Sequence, residues 1–229
     1  MSINYPRMMQ AALRLLAVCG ILALPISATA SPAADSTVTT PSDGGGAGDA
    51  GMRWEVSLTY ASGIRKVMDQ METTFGVSKD FEWPFGLKFG GYDEFASGWC
   101  LGGSVGPCEV IAVKEFTDTN YDYIVPVTID VRYIFRGQGR EKVYVRAGLT
   151  QALAGGDYIG SGTLGPAVAI GAEIWHGSSM SFGMETGYDG SKIKVKDNTI
   201  DGMSFAGSYT VPGAKVTPVG FNVSFFVRF

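Results

Sequence analysis

His176 is the only histidine in the 229-residue chain, and it precedes Gly177, Ser178 and Ser179. Glu185 follows on what reads as the next strand. A histidine activates a serine for acyl transfer when a third group orients its ring, so His176, Ser178 and Glu185 form one candidate constellation. The competing reading is a histidine that occupies a turn. A second constellation is ionic: Arg53, Glu55, Asp130, Arg132, Lys142, Arg146, Glu173, Glu185 and Arg228, five cations against four carboxylates. Such near balance allows the pairing that charges require when they leave water. Cys100 and Cys108 would lie about 26 Å apart in one extended strand, too far for a disulfide. Only a loop at Gly102-Gly103 and Gly106-Pro107 would bring them together; the strand reading leaves two free thiols. No cluster has metal-ligand spacing and no glycine-rich turn opens a helix to hold phosphate, so neither metal nor cofactor is expected. Lys192, Lys194 and Lys196 alternate as on a solvated strand face, which can also touch anionic lipopolysaccharide.

Strands must position these residues, because the dominant periodicity is two. Val219, Phe221, Val223, Phe225, Val227 and Phe229 alternate with Gly220, Asn222, Ser224, Phe226 and Arg228. Successive side chains of a strand point to opposite faces, so one face of this segment is apolar and the other mostly polar. The pattern recurs in Tyr123 to Phe135, Val143 to Leu149, Leu164 to Ile174, Met180 to Met184 and Trp54 to Tyr60. Weaker strands fit near Phe85 to Tyr92 and Gly98 to Val110, which makes eight. A soluble sandwich also alternates, but the Tyr123 segment runs past a dozen residues, whereas soluble strands average near 5 or 6 and tilted membrane strands need about 9 to 11.

The length of the connections orients the set. Arg136 to Arg140 and His176 to Ser179 are short and read as periplasmic turns. Ala61 to Pro84, Leu153 to Thr163 and Ser191 to Thr217 are long and read as outer loops, with an intermediate one from Val110 to Tyr121. Ala61 to Glu72 reads as a short helix or as an extension of the first strand. Trp54, Tyr60, Trp83, Trp99, Tyr121, Tyr133, Trp175 and Tyr188 fall near strand ends, which suits aromatic girdles. In lipid, unsatisfied backbone groups are too costly, so a spanning sheet must close. The lumen of an eight-stranded barrel is just wide enough for side chains, which favours a charged plug over an ion path. Gly86, Gly90, Gly102, Ser104, Gly165, Ala167, Gly171, Gly183 and Gly187 point inward as well. They either relieve crowding and permit curvature or leave a ligand cavity.

Residues 1–30 read as a Sec signal peptide, with Arg7 and Arg14, an apolar run from Leu15 to Ile26 and a small-residue cleavage site at Ala28 and Ala30. Residues 31–51 form a flexible leader rich in Ala, Ser, Thr, Pro, Asp and Gly. Residues 52–229 make one domain. The formal charge of −4 becomes more acidic once Arg7 and Arg14 are cleaved away, which disfavours a nucleic-acid partner.

The export signal, the eight alternating strands and the terminal strand from Thr217 to Phe229 resemble the small porin-like, opacity-type outer-membrane β-barrel proteins of Gram-negative bacteria. The resemblance implies an all-β, eight-stranded antiparallel up-and-down transmembrane barrel in the outer membrane, embedded among lipid and lipopolysaccharide and monomeric. It also implies that Phe221, Val223, Phe225, Val227 and Phe229 serve as the signal read by the barrel assembly machinery. The expected function is non-enzymatic, with outer loops mediating surface contact or envelope integrity. The alternatives are a narrow channel or small-ligand carrier, and a hydrolase like the lipid A deacylases, which use a His-x-Ser pair with a carboxylate. Those enzymes act from the outer-leaflet side, whereas the strand count sets His176 in a periplasmic turn.

Overall fold

The computed structural model describes residues 51–81, 83–115, 118–136, 142–176, 180–201 and 208–229. The signal peptide with its Ala28 and Ala30 cleavage site, and the leader up to residue 50, lie outside the described residues. In chain order the elements are β1 (Gly51–Ala61), α1 (Ile64–Phe75), β2 (Ser78–Phe81), β3 (Phe85–Glu94), β4 (Trp99–Val105), β5 (Glu109–Glu115), β6 (Asp118–Arg136) and β7 (Lys142–Gly155). They continue with β8 (Ile159–His176), β9 (Ser181–Asp189), β10 (Lys192–Val195), β11 (Asn198–Asp201), β12 (Ser208–Val211), β13 (Lys215–Val216) and β14 (Gly220–Arg228).

Eight of these strands close a barrel in the order β1, β3, β4, β6, β7, β8, β9, β14, every neighbour antiparallel. The last strand returns to the first: Trp54 and Phe229 exchange backbone N–H to C=O bonds of 3.1 and 2.8 Å beside the β1–β14 ladder. The alternation then sorts the side chains. Outward stand Leu58, Phe89, Leu101, Ile129, Val145, Leu149, Val168, Ile170, Met184 and Phe225, all exposed. Inward stand buried hydroxyls, amides and charges such as Ser57, Thr59, Asp130, Glu185, Asn222 and Ser224. A soluble barrel would do the opposite, since water rewards an apolar interior. No described helix is long and apolar enough to cross a membrane.

Of the two expected short turns, residues 137–141 and 177–179 lie outside the described residues, whereas the other end is more ordered than a set of loops. The segment read as a long loop from Leu153 to Thr163 is strand almost throughout: β7 and β8 extend until a three-residue turn, Gly156 to Tyr158, joins them. The strand expected from Gly98 to Val110 breaks at Gly106-Pro107-Cys108 and resumes as β5 beside the same β6. Pro107 lacks the N–H a ladder needs, and Gly106 sits at φ +106°, a conformation few other residues adopt. The expected loop from Val110 to Tyr121 is accordingly the β5–β6 hairpin arm. The described residues of the expected loop from Ser191 to Thr217 include β10 to β13, with β10 paired to β8 and β13. The helix is real but ends later than expected, at Phe75, where Gly76 at φ +66° supplies a left-handed cap.

Candidate functional site

Among the described residues, chemistry-bearing side chains converge in the lumen. Toward the short-turn end, Glu55 accepts from Arg132 at 3.1 Å and from Arg228 at 2.9 Å, and Arg228 also pairs with Glu173. At mid-height, Glu185 accepts from Arg146 at 2.7 Å, Lys88 at 3.1 Å and the Tyr144 hydroxyl at 3.0 Å. Arg146 also donates to Asp130 at 3.2 Å. The Arg132 guanidinium lies 3.9 Å from the Tyr92 ring centroid and 4.3 Å from that of Tyr144, a cation–π sandwich joining the two groups. Four buried cations thus meet four buried carboxylates, drawn from seven of the eight barrel strands.

Seven of the nine expected lumen charges enter this network. Arg53 and Lys142 do not lie inside it: they are half-buried and line the short-turn mouth beside Glu94. The missing cation is Lys88, between the inward Gly86 and Gly90. The signal that could have found it is its place in the alternation, two residues from each glycine.

The inward glycines make room for rings. A Cβ at Gly171 would strike the Tyr144 ring, one at Gly183 the Phe226 ring, and one at Gly90 or Gly102 the Tyr92 ring. What remains above the ion pairs is a recess of about 20 Å³ among Thr59, Ser104, Thr128, Thr150 and Asn222, room for about one water. Beside it Thr59 bonds Ser224 and Thr128 bonds Thr150, each the residue directly opposite on the neighbouring strand, at 2.8 and 2.7 Å.

Beyond that hydroxyl layer the interior turns apolar. Ile64, Val67, Met68 and Met71 of α1 are buried against Ile111 and Val113 of β5, Ile124 of β6, Ala152 of β7, Ile159 of β8, and Ile193 and Val195 of β10, with Tyr158 beside them. Spacing of three and four residues puts the helix's apolar set on one face, leaving Arg65, Lys66 and Asp69 outside. The N-terminal end is pinned where Ser62 and Gly63 donate backbone N–H groups to Phe221 and Val219. A Cβ at Gly63 would collide with the backbone carbonyls of Thr217 and Pro218. This lid was not legible as such: the sequence shows an amphipathic helix but not what its apolar face covers.

Two carboxyl groups toward this end stand out. Glu109 is 2% exposed and, among the described residues, neither carboxyl oxygen meets a hydrogen-bond partner. Asp122 accepts from the backbone N–H groups of Asp157 and Tyr158 at 2.8 and 3.1 Å, holding the β7–β8 turn.

No family model and no curated protein matches the chain. Among solved structures, it is similar to the crystal structure of the outer membrane protein OprG from Pseudomonas aeruginosa. That match has TM-score 0.47 and 13% identity, covering 80% of this chain and 98% of that one. It is also similar to the crystal structure of Neisserial surface protein A (NspA), with TM-score 0.43 and 11% identity, covering 77% of this chain and 95% of that one.

The remaining candidate residues fall as follows. His176 is the last residue of β8 at the short-turn end, and its neighbours Gly177, Ser178 and Ser179 lie outside the described residues. Glu185 points into the lumen, where three donors hold it. Cys100 is buried, Cys108 follows the break at Pro107, and the two form no disulfide. Phe221, Phe225 and Phe229 are exposed on the outer face of the closing strand, with Val223 and Val227 between them. Lys192 and Lys194 occupy the solvated face of β10, and Lys196 the exposed residue after it.

Proposed function

We propose that this chain is a non-enzymatic integral barrel protein of the bacterial outer membrane, its lumen sealed and its long-connection end presented outside the cell for surface contact or envelope integrity. The observation that carries the reading is the inverted distribution of polarity: an apolar outer surface on a closed barrel with a charged interior. Two aromatic rims support it. Trp54, Trp99, Tyr133, Phe135 and Trp175 crowd the short-turn end, and Tyr60, Trp83, Phe85, Tyr121 and Tyr188 the other, as residues with one wet and one apolar end do at the borders of a bilayer. A role for the β14 face in recognition by the barrel assembly machinery belongs to the same proposal. Against hydrolysis stands Glu185, whose carboxylate is committed to Lys88, Arg146 and Tyr144.

Membrane fractionation followed by gel electrophoresis of heated and unheated samples tests this. Recovery with the outer membrane and a heat-dependent change in mobility is expected, because a closed barrel resists detergent until boiled. Recovery as a detergent-free periplasmic protein with no shift would refute it.

A further inference from the structure

On β10, Ile193 and Val195 are buried in the lid core while Lys192 and Lys194 are exposed. Lys215 of β13, also exposed, stands directly opposite Lys194. Side chains so opposed have Cβ atoms about 5 Å apart, where like charges destabilise the pair, and Lys192 shares the face about 7 Å along the strand. The nearby acid does little to relieve this. Lys194 reaches Asp197 only at 4.0 Å, with both side chains more than half exposed, a geometry worth little in water. Lys196 is used differently: it donates to the carbonyls of Gly156 and Asp157 at 2.8 and 2.9 Å, bracing the β7–β8 turn. A chain of net formal charge −4 therefore gathers three ammonium groups on one small sheet.

Their height on the barrel is specific. Lys192 pairs with Thr163, next to Leu164, which is 59% exposed, and it follows the rim residue Tyr188 by four positions. Gly190 and Ser191 interrupt the strand there, so β8 sets the height: Leu164 is its last exposed apolar residue before the turn, which puts Lys192, opposite Thr163, just above the apolar band at the level of the headgroups.

We propose that Lys192, Lys194 and Lys215 form a binding face for the phosphate groups of an anionic lipid in the leaflet at the long-connection end. The inference rests on the bilayer reading above. A phosphate between Lys194 and Lys215 replaces one repulsion by two attractions. Acyl chains beneath it would lie along Leu164 and Val168, which free phosphate has no means to exploit.

The test uses the full chain folded into phosphatidylcholine vesicles containing a minor fraction of diphosphorylated lipid A. The vesicles are then dissolved in neutral detergent, and the retained lipid is counted by mass spectrometry. The wild type is expected to retain the phosphorylated lipid in preference to phosphatidylcholine. The Lys192→Gln, Lys194→Gln, Lys215→Gln variant should lose about tenfold of that retention, and inorganic phosphate at equal concentration should not displace it. The triple arginine variant, which keeps the charges, should retain the lipid. Equal retention by the glutamine variant, loss in the arginine variant, or displacement by inorganic phosphate would overturn the proposal. Failure of the wild type to enter vesicles would overturn the bilayer reading with it, whereas insertion without lipid preference would remove the lysine face alone.

Discussion

Glu185 shows how a single carboxylate organises this interior. It is the acceptor for Lys88, Arg146 and Tyr144, which come from two other strands. Glu185→Ala removes the acceptor and leaves buried donors behind, so unfolding of the variant by urea should show a loss of about 3 to 5 kcal/mol. Glu109 is the opposite case, a carboxyl without a partner among the described residues. Lys88 is legible from its neighbours, since Phe85, Leu87 and Phe89 take the outward phase and leave it inward with Gly86 and Gly90, but glycines on either side weaken that alternation.

At the scale of elements, legibility depended on which phase of the alternation meets lipid. In Tyr123 to Phe135 and in Val219 to Phe229 the apolar phase faces out, and length together with the terminal aromatic marks the strands. In β10 the same period two runs in the opposite sense, with Ile193 and Val195 inward under α1 and Lys192 and Lys194 in water, while β5 is apolar in both phases, Ile111 and Val113 inward and Val110 and Ala112 on the other side. Period alone does not reveal that reversal, and Pro107 hides the continuity of β4 with β5. The consequence is a lid held by apolar contact rather than by charge. Met68→Asp places a carboxylate where Met68 is 1% exposed, and should free α1 from its seat. Limited proteolysis of the folded variant is expected to cut within residues 62–76 while the barrel keeps its heat-dependent gel shift; resistance equal to that of the wild type would show that the lid core is not what holds the helix.

Taken as a whole, the molecule is closed twice, by the ion-pair plug across its lower lumen and by the α1 lid across its upper mouth. Planar-bilayer recordings should show no stable conductance for the full chain. Loss of the lid alone should not create one, because Glu55, Arg132, Glu185 and Arg146 still fill the section below. Steady single-channel steps from the wild type would mean that the plug yields.

The claim on which the rest depends is that the apolar outer face lies in lipid, and the tryptophans report on it directly. Trp54, Trp83, Trp99 and Trp175 are the four in the chain, and all are at least half exposed on the outside. Fluorescence of the protein folded into vesicles carrying lipids brominated at different depths is the decisive measurement. Quenching should be strong, greatest for labels near the two interfaces and weaker for labels at the bilayer centre. Emission characteristic of water, unchanged by bromine at any depth, would contradict it.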